Sequence, residues 1–151
     1  MSNRRDEVLV YLADHNVMTL ATHGATGPWA AAVFYVNDGF DLTFLSMPQS
    51  RHAQDLSANP QVAGTIHEDY PDWPDIKGVQ IEGRVHRLSN SDSIEAVGRF
   101  ADKFPVTRPR SAPASIQAAL KRVAWYGLVT ERCFFVDNSQ GFGHRDEIPL
   151  G

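Results

Sequence analysis

The chain has 151 residues, 42% hydrophobic and 21% charged, a balance that excludes disorder or a fibre and gives one domain, residues 1–151, enough length for a buried core. The formal charge of −4 argues against a nucleic-acid partner, because binding a phosphate backbone draws on a cationic surface. No apolar run approaches the ~20 residues of a bilayer span, Met1–Arg5 lead into Asp6 and Glu7 rather than into an apolar signal core, and the one cysteine, Cys133, has no partner for an internal disulfide, so a reducing, cytoplasmic setting without membrane insertion is expected.

Residues Arg4–Asp14 set Val8, Leu9 and Leu12 on one face and predict an opening helix. Val17–Thr22 is strand-like and runs into turn signals at Gly24 and Gly27-Pro28. Trp29–Val36 and Phe40–Leu45 follow as two strands joined through Asn37-Asp38-Gly39, since Asp-Gly supplies the positive φ of a tight hairpin. Phe40, Leu42 and Phe44 share one face of the third strand, which is therefore expected to be core.

Gln49–Ser57 reads as a short helix stopped by Asn59-Pro60, and Val62–His67 returns to β character. Asp69–Asp75 is a proline-rich acidic excursion around Trp73. In the next strand Val79, Ile81, Gly83 and Val85 alternate with Gln80, Glu82, Arg84 and His86, and Gly83 marks a bulge or a close backbone approach. Ile94, Val97, Phe100, Ala101 and Phe104 then follow helical spacing up to Pro105. Thr107–Pro113 is an irregular basic segment, and Ser115–Leu120 has room for one or two helical turns. Ala124–Val129 and Arg132–Val136 read as two closing strands, and Asp137–Gly151 as a glycine-rich polar tail. About six strands without regular strand–helix alternation predict a mainly β fold, an antiparallel barrel with appended helices.

The stretch Phe44–Leu56 carries the most chemistry, placing Ser46, Ser50, Arg51 and His52 between a strand and the start of a helix. A helix N-terminus offers unpaired N–H groups and partial positive charge, and a guanidinium fork matches phosphate oxygens. A phosphate cradle is one reading. A capping serine beside a solvated arginine is the other, and spacing alone favours it. Elsewhere, Cys133 beside Phe134 and Phe135 reads as a small buried hydrophobe. His15, His23, His67, His86 and His144 lack metal-ligand spacing, so no metal is expected, and Gly141-x-Gly143 lacks the third glycine of a dinucleotide fingerprint.

Taken in order, Val17–Thr22, Gly27-Pro28 with its strand, the Asp-Gly hairpin, Ser50-Arg51-His52 through Leu56, Asn59-Pro60 and Gly78-Val79-Gln80-Ile81-Glu82-Gly83 resemble the pyridoxamine 5'-phosphate oxidase-like split-barrel flavoproteins over most of the chain. Phe104-Pro105-Val106, Ser111-Ala112-Pro113 and Asp137–Gly143 resemble a branch of small bacterial members. The resemblance implies a six-stranded antiparallel split β-barrel that binds FMN at a homodimer interface, with the phosphate on Ser46, Ser50, Arg51 and His52. It also implies backbone contacts from Ala31, Ala32 and Val33 to the flavin ring, Leu45 beside it, and Gln80 reaching it from the neighbouring strand. Arg108, Arg110 and Ser111 stand either near the partner's flavin phosphate or in solvent.

Two departures shape the expected function. Ala31 stands where the oxidases carry an arginine and His52 where they carry a lysine, so phosphate binding rests more on Arg51, with help from His52 that weakens as pH rises through neutrality. Phe142-Gly143-His144 lacks the arginine of the oxidases' C-terminal Arg-x-His element, so turnover of pyridoxamine phosphate is not expected; Gly141–Gly143 is either a lid whose ring covers the flavin or a tail with one anchoring aromatic. The implied activity is that of an FMN-dependent oxidoreductase acting on a small substrate, with no catalytic acid or base identifiable. The alternative is non-catalytic binding, storage or sensing of flavin, haem or a deazaflavin. Trp29, Trp125, Tyr126 and Phe142 are candidate interface aromatics that could equally be core.

Overall fold

Asn3 opens the first element by accepting a hydrogen bond from the Asp6 N–H at 2.8 Å, which caps α1 (Arg4–Asp14). The structure is a computed structural model that describes residues 3–151; Met1 and Ser2, where the sequence predicts a start without a leader, lie outside the described residues. Four strands and a helix follow: β1 (Val17–Gly24), β2 (Gly27–Asp38), β3 (Asp41–Ser46), α2 (Arg51–Ala58) and β4 (Gln61–His67). The chain continues through β5 (Lys77–Arg87), α3 (Asn90–Lys103), α4 (Ala114–Leu120), β6 (Ala124–Asp137) and β7 (Arg145–Ile148).

All strand pairings are antiparallel, in the order β3-β2-β1-β4-β5-β6-β7, and β3 also pairs with β6 through Leu42–Ser46 against Ala124–Leu128. That last pairing closes six strands into a barrel and leaves β7 as an appendage of β6. The expected mainly β, six-stranded split barrel is therefore the fold observed.

Alternation builds the core. Leu42 and Phe44 are buried with Phe40 just before them, and Val79, Ile81 and Val85 face inward along β5. Val8 and Leu12 of α1 join this core, and the Tyr35 hydroxyl donates to the Leu12 carbonyl at 2.6 Å, tying helix to barrel. Each fully buried side chain of this size stabilises the fold by roughly 1.5–3 kcal/mol.

Two expectations require correction. The sequence predicts separate strands at Ala124–Val129 and Arg132–Val136, but β6 is one continuous strand that slips register between Glu82↔Arg132 and Gly83↔Thr130. Gly83 makes this possible: a Cβ there would lie 2.3 Å from the Val129 carbonyl oxygen, so the bare backbone admits the bulge. The tail, read as glycine-rich and polar with no strand assigned to it, contains β7, whose four residues pair with Cys133–Val136 and bury only Ile148. One apolar residue in four shows no alternation to detect.

Candidate functional site

The barrel is split beside α2. β2 pairs with β3 only from Tyr35 to Asp38, so from Gly27 to Phe34 it pairs with β1 alone, and its second edge meets no strand among the described residues. α2 is held at this opening by a buried hydrogen bond, Thr22 Oγ1 donating to Asp55 Oδ2 at 2.8 Å. Gly24 permits the close approach, because a Cβ there would fall 2.1 Å from Asp55 Oδ1.

Ser50 caps α2, accepting from the Ala53 N–H at 3.3 Å while its hydroxyl donates to the Met47 carbonyl at 2.8 Å. His52 turns back toward the end of β3, with Nε2 2.6 Å from Ser46 Oγ and 3.3 Å from Ser50 Oγ. Burial lowers the His52 pKa below its ordinary 6.5, opposed by the charge of Asp55. Burial thus favours the neutral imidazole, against the charge that the sequence expects it to lend near neutrality. It serves the site by hydrogen bonding.

Arg51 lies over Trp29, its Cζ 4.2 Å from the ring centroid, and Nη2 reaches the Thr26 carbonyl only at 3.5 Å. Its Nε is buried and has no hydrogen-bond partner among the described residues. Such a guanidinium, fixed by an aromatic face and short of acceptors, sits beside a helix start whose first N–H groups are unpaired by the nature of the helix. Both offer hydrogen-bond donors of the kind that an anion accepts from. A second arginine, Arg122, lines an open groove of about 740 Å³ together with Met47, Gln49 and Ser50. Sequence reasoning missed it. The signal lay in strand pairing, since Ala124 stands opposite Ser46, and that pairing is set by barrel closure rather than by local pattern.

The structure thus brings Ser46, Ser50 and His52 together, while Arg51, next to them at the first turn of α2, sends its guanidinium over Trp29. Ala31 is half-buried, Ala32 exposed and Val33 buried, all within the part of β2 whose second edge is free; with the Val33 side chain in the core, only its backbone can serve a ligand. Leu45 is half-buried opposite Trp125. Gln80 is exposed on β5, three strands from β2, in a cavity of about 350 Å³ shared with Thr19, Ala63, Phe134 and Arg145. Within one chain it does not join the cradle. Ser111 is exposed in the turn before α4, with Arg108 and Arg110 also exposed.

Of the candidate interface aromatics, Tyr126 is core, stacked on Phe44 at 5.3 Å, and Trp125 meets the edge of Phe100 at 5.3 Å. Phe142 is 84% exposed and touches the edge of Trp73 at 5.6 Å. Among the described residues no three His, Cys, Asp or Glu side chains converge on a metal-sized site, and no helix is long and apolar enough to cross a membrane.

Comparison with known proteins places these features in a wider set. A family model described as pyridoxamine 5'-phosphate oxidase matches residues 5–125. A UPF0306 protein of Photorhabdus laumondii is 34% identical over 137 residues, spanning 89% of this chain and 88% of its own length. A haem-binding protein from Mycobacterium smegmatis superposes with a TM-score of 0.77 at 21% identity over 99% of this chain, which spans 59% of that one. A FAD-binding protein from Mesorhizobium loti gives a TM-score of 0.68 at 18% identity, covering 89% of this chain and 94% of its own. At those identities the two structures share the fold.

Proposed function

The chain belongs to the pyridoxamine 5'-phosphate oxidase family, and from that footing we propose that it is a flavoprotein which holds FMN at the split of the barrel and acts as an FMN-dependent oxidoreductase on a small substrate. The observation that carries the reading is the buried, unpartnered Nε of Arg51, a donor without an acceptor beside the capped start of α2. A phosphate supplies what is missing, because its oxygens accept from guanidinium, hydroxyl and backbone N–H alike.

In this reading Arg51 binds the phosphate, steadied by Trp29; Ser46 donates to it while the Nε2–H of His52 fixes the Ser46 oxygen, and Ser50, whose proton goes to the Met47 carbonyl, holds the start of α2 in place. The free edge of β2 between Gly27 and Phe34 offers backbone donors and acceptors to the polar rim of a flat ring. Bound flavin supplies the exchange of electrons with substrate, and the chain supplies binding, orientation and exclusion of water.

A second copy belongs to the proposal. Ala21, Ala30, Ala32 and Ala63 are exposed, and the pairings Ala21↔Ala30 and Ala21↔Ala63 set three of them in one row across β2, β1 and β4. A face of such short side chains admits close approach of a partner, and a homodimer packed there covers the flavin. A cytoplasmic site fits a flavin enzyme with one cysteine, buried and free.

Haem is the second reading, favoured by the fold shared with the haem-binding protein of Mycobacterium smegmatis. Colour and turnover separate the two. Protein purified from riboflavin-replete cells is expected to be yellow, to release FMN on denaturation, to run as a dimer, and to be reduced by a nicotinamide donor and reoxidised by an acceptor. A red-brown preparation supports haem, and a yellow protein inert to every donor supports binding without catalysis.

A further inference from the structure

Between α3, the turn at Pro105–Thr107 and α4 lies a pocket to which the flavin reading gives no role. Its volume is about 200 Å³. Apolar cavities of about 150 Å³ accept benzene, so this one has room for a single aromatic ring with a small substituent. Val97 of α3, Leu120 of α4 and Pro109 give it apolar walls, and Trp125 is held within it by the edge contact with Phe100 at 5.3 Å.

Its polar groups are few and mostly committed. Thr107 Oγ1 donates to the Phe104 carbonyl at 2.8 Å, and Gln117 Nε2 donates to the Ala112 carbonyl at 2.8 Å. Lys121 is different: it is the one charged residue of the lining, it is exposed, and it makes no ion pair among the described residues.

The wider charge pattern points the same way. The segment Thr107–Arg122, which supplies most of the lining, carries Arg108, Arg110, Lys121 and Arg122 and no acidic side chain, while α3 on the facing wall carries Asp92, Glu95 and Asp102 with Arg99 and Lys103. Local cations of this kind concentrate anions near an opening. Trp125 stands opposite Leu45 on the paired strands, so the pocket lies one strand from the residue that the resemblance sets beside the flavin ring.

We propose that this pocket binds a small, flat, apolar molecule bearing a carboxylate, with the ring against Trp125 and the carboxylate at Lys121. Its role as the substrate site rests on the flavin reading, whereas the binding itself does not.

The probe is benzoate, with benzamide as its uncharged counterpart, titrated into the ¹⁵N-labelled full chain without added flavin. The indole N–H signals of Trp29, Trp73 and Trp125 are assigned through single Trp→Phe variants. Benzoate is expected to shift the Trp125 signal to saturation and to leave Trp29 and Trp73 in place. Benzamide should bind about fivefold more weakly, the scale of one partly exposed ion pair. Lys121→Gln, an exposed change whose other signals report an intact fold, should abolish that difference. A Trp125 signal that does not move, as when a second copy covers the pocket, overturns the proposal, as does equal binding of the two probes by the wild type or a preference for benzoate that survives Lys121→Gln. FMN titration of the same samples keeps the two readings apart: FMN bound with Trp125 silent removes the pocket alone, and the reverse removes the flavin reading alone.

Discussion

Replacing Gly24 with alanine tests how the cradle is positioned. The new Cβ would stand 2.1 Å from Asp55 Oδ1, 2.6 Å from its Cγ and 3.0 Å from its Cα, so either the carboxylate or the whole of α2 must move. Moving the carboxylate breaks the buried bond from Thr22 at 2.8 Å. Overpacking of this kind costs roughly 1–3 kcal/mol, and a buried hydrogen bond to a charged group contributes about 1.5–3 kcal/mol, so with partial relief Gly24→Ala should destabilise by about 3 kcal/mol. For a chain of this size that lowers the thermal midpoint by roughly 10 °C. The assay is urea and thermal unfolding of Gly24→Ala, Asp55→Ala and the double variant. Removing the carboxylate removes the nearest obstacle, so on the Asp55→Ala background the alanine should cost less than about 1 kcal/mol. The same penalty on both backgrounds, or Gly24→Ala within about 0.5 kcal/mol of wild type, would refute the packing argument.

Two further outcomes follow from groups remote from the cradle. Burial pushes the Cys133 thiol up to about 12, so the native protein should resist 5,5'-dithiobis(2-nitrobenzoate) at pH 8 and react fully in urea; prompt labelling of the folded protein would contradict the burial. Lys103 donates to the His15 carbonyl and lies 4.1 Å from the Tyr35 ring centroid, and burial pulls its pKa from 10.5 to about 8. Between those values this group binds more protons in the unfolded chain than in the folded one, so its contribution to stability should rise as pH increases through this window. Because Cys133, Tyr35 and Tyr70 are held protonated by burial and pull the other way, the assignment is read as a difference: from pH 8 to 9.5 the urea midpoint of the wild type should climb relative to that of Lys103→Met, and equal slopes in the two would overturn it.

Much of the fold is legible in local pattern. The helix Arg4–Asp14 is observed with the bounds its apolar spacing predicts, and the hairpin around Gly39 forms with φ of +60° there, although Phe40 joins the turn and β3 begins at Asp41. Gly83 proves to be both a bulge and a close approach. What local pattern cannot carry is closure. The continuity of β6 through its bulge, the pairing of Leu45 with Trp125 and the placing of Arg122 in one groove with Ser50 depend on which strands meet at the end of folding. The site shows the same division. Ser46, Ser50 and His52 lie within seven residues and meet because a strand end and a helix start are joined there, with Arg51 beside them turned onto Trp29, while Gln80 belongs to a strand that the sheet order sets apart from them. The state of His52 was also beyond the sequence, since its protonation follows from burial rather than from neighbours along the chain.

The central claim, that an anion docks on Arg51 where β3 passes into α2, is tested most directly by comparing FMN with riboflavin, which differ only in the phosphate. Hydrogen bonds to a charged group contribute about 1.5–3 kcal/mol each, so two of them should make the wild type bind FMN at least about 100-fold more tightly, with the gap falling to about tenfold or less in Arg51→Met. Equal affinity of the wild type for both flavins, or a preference for FMN that survives intact in Arg51→Met, would contradict it.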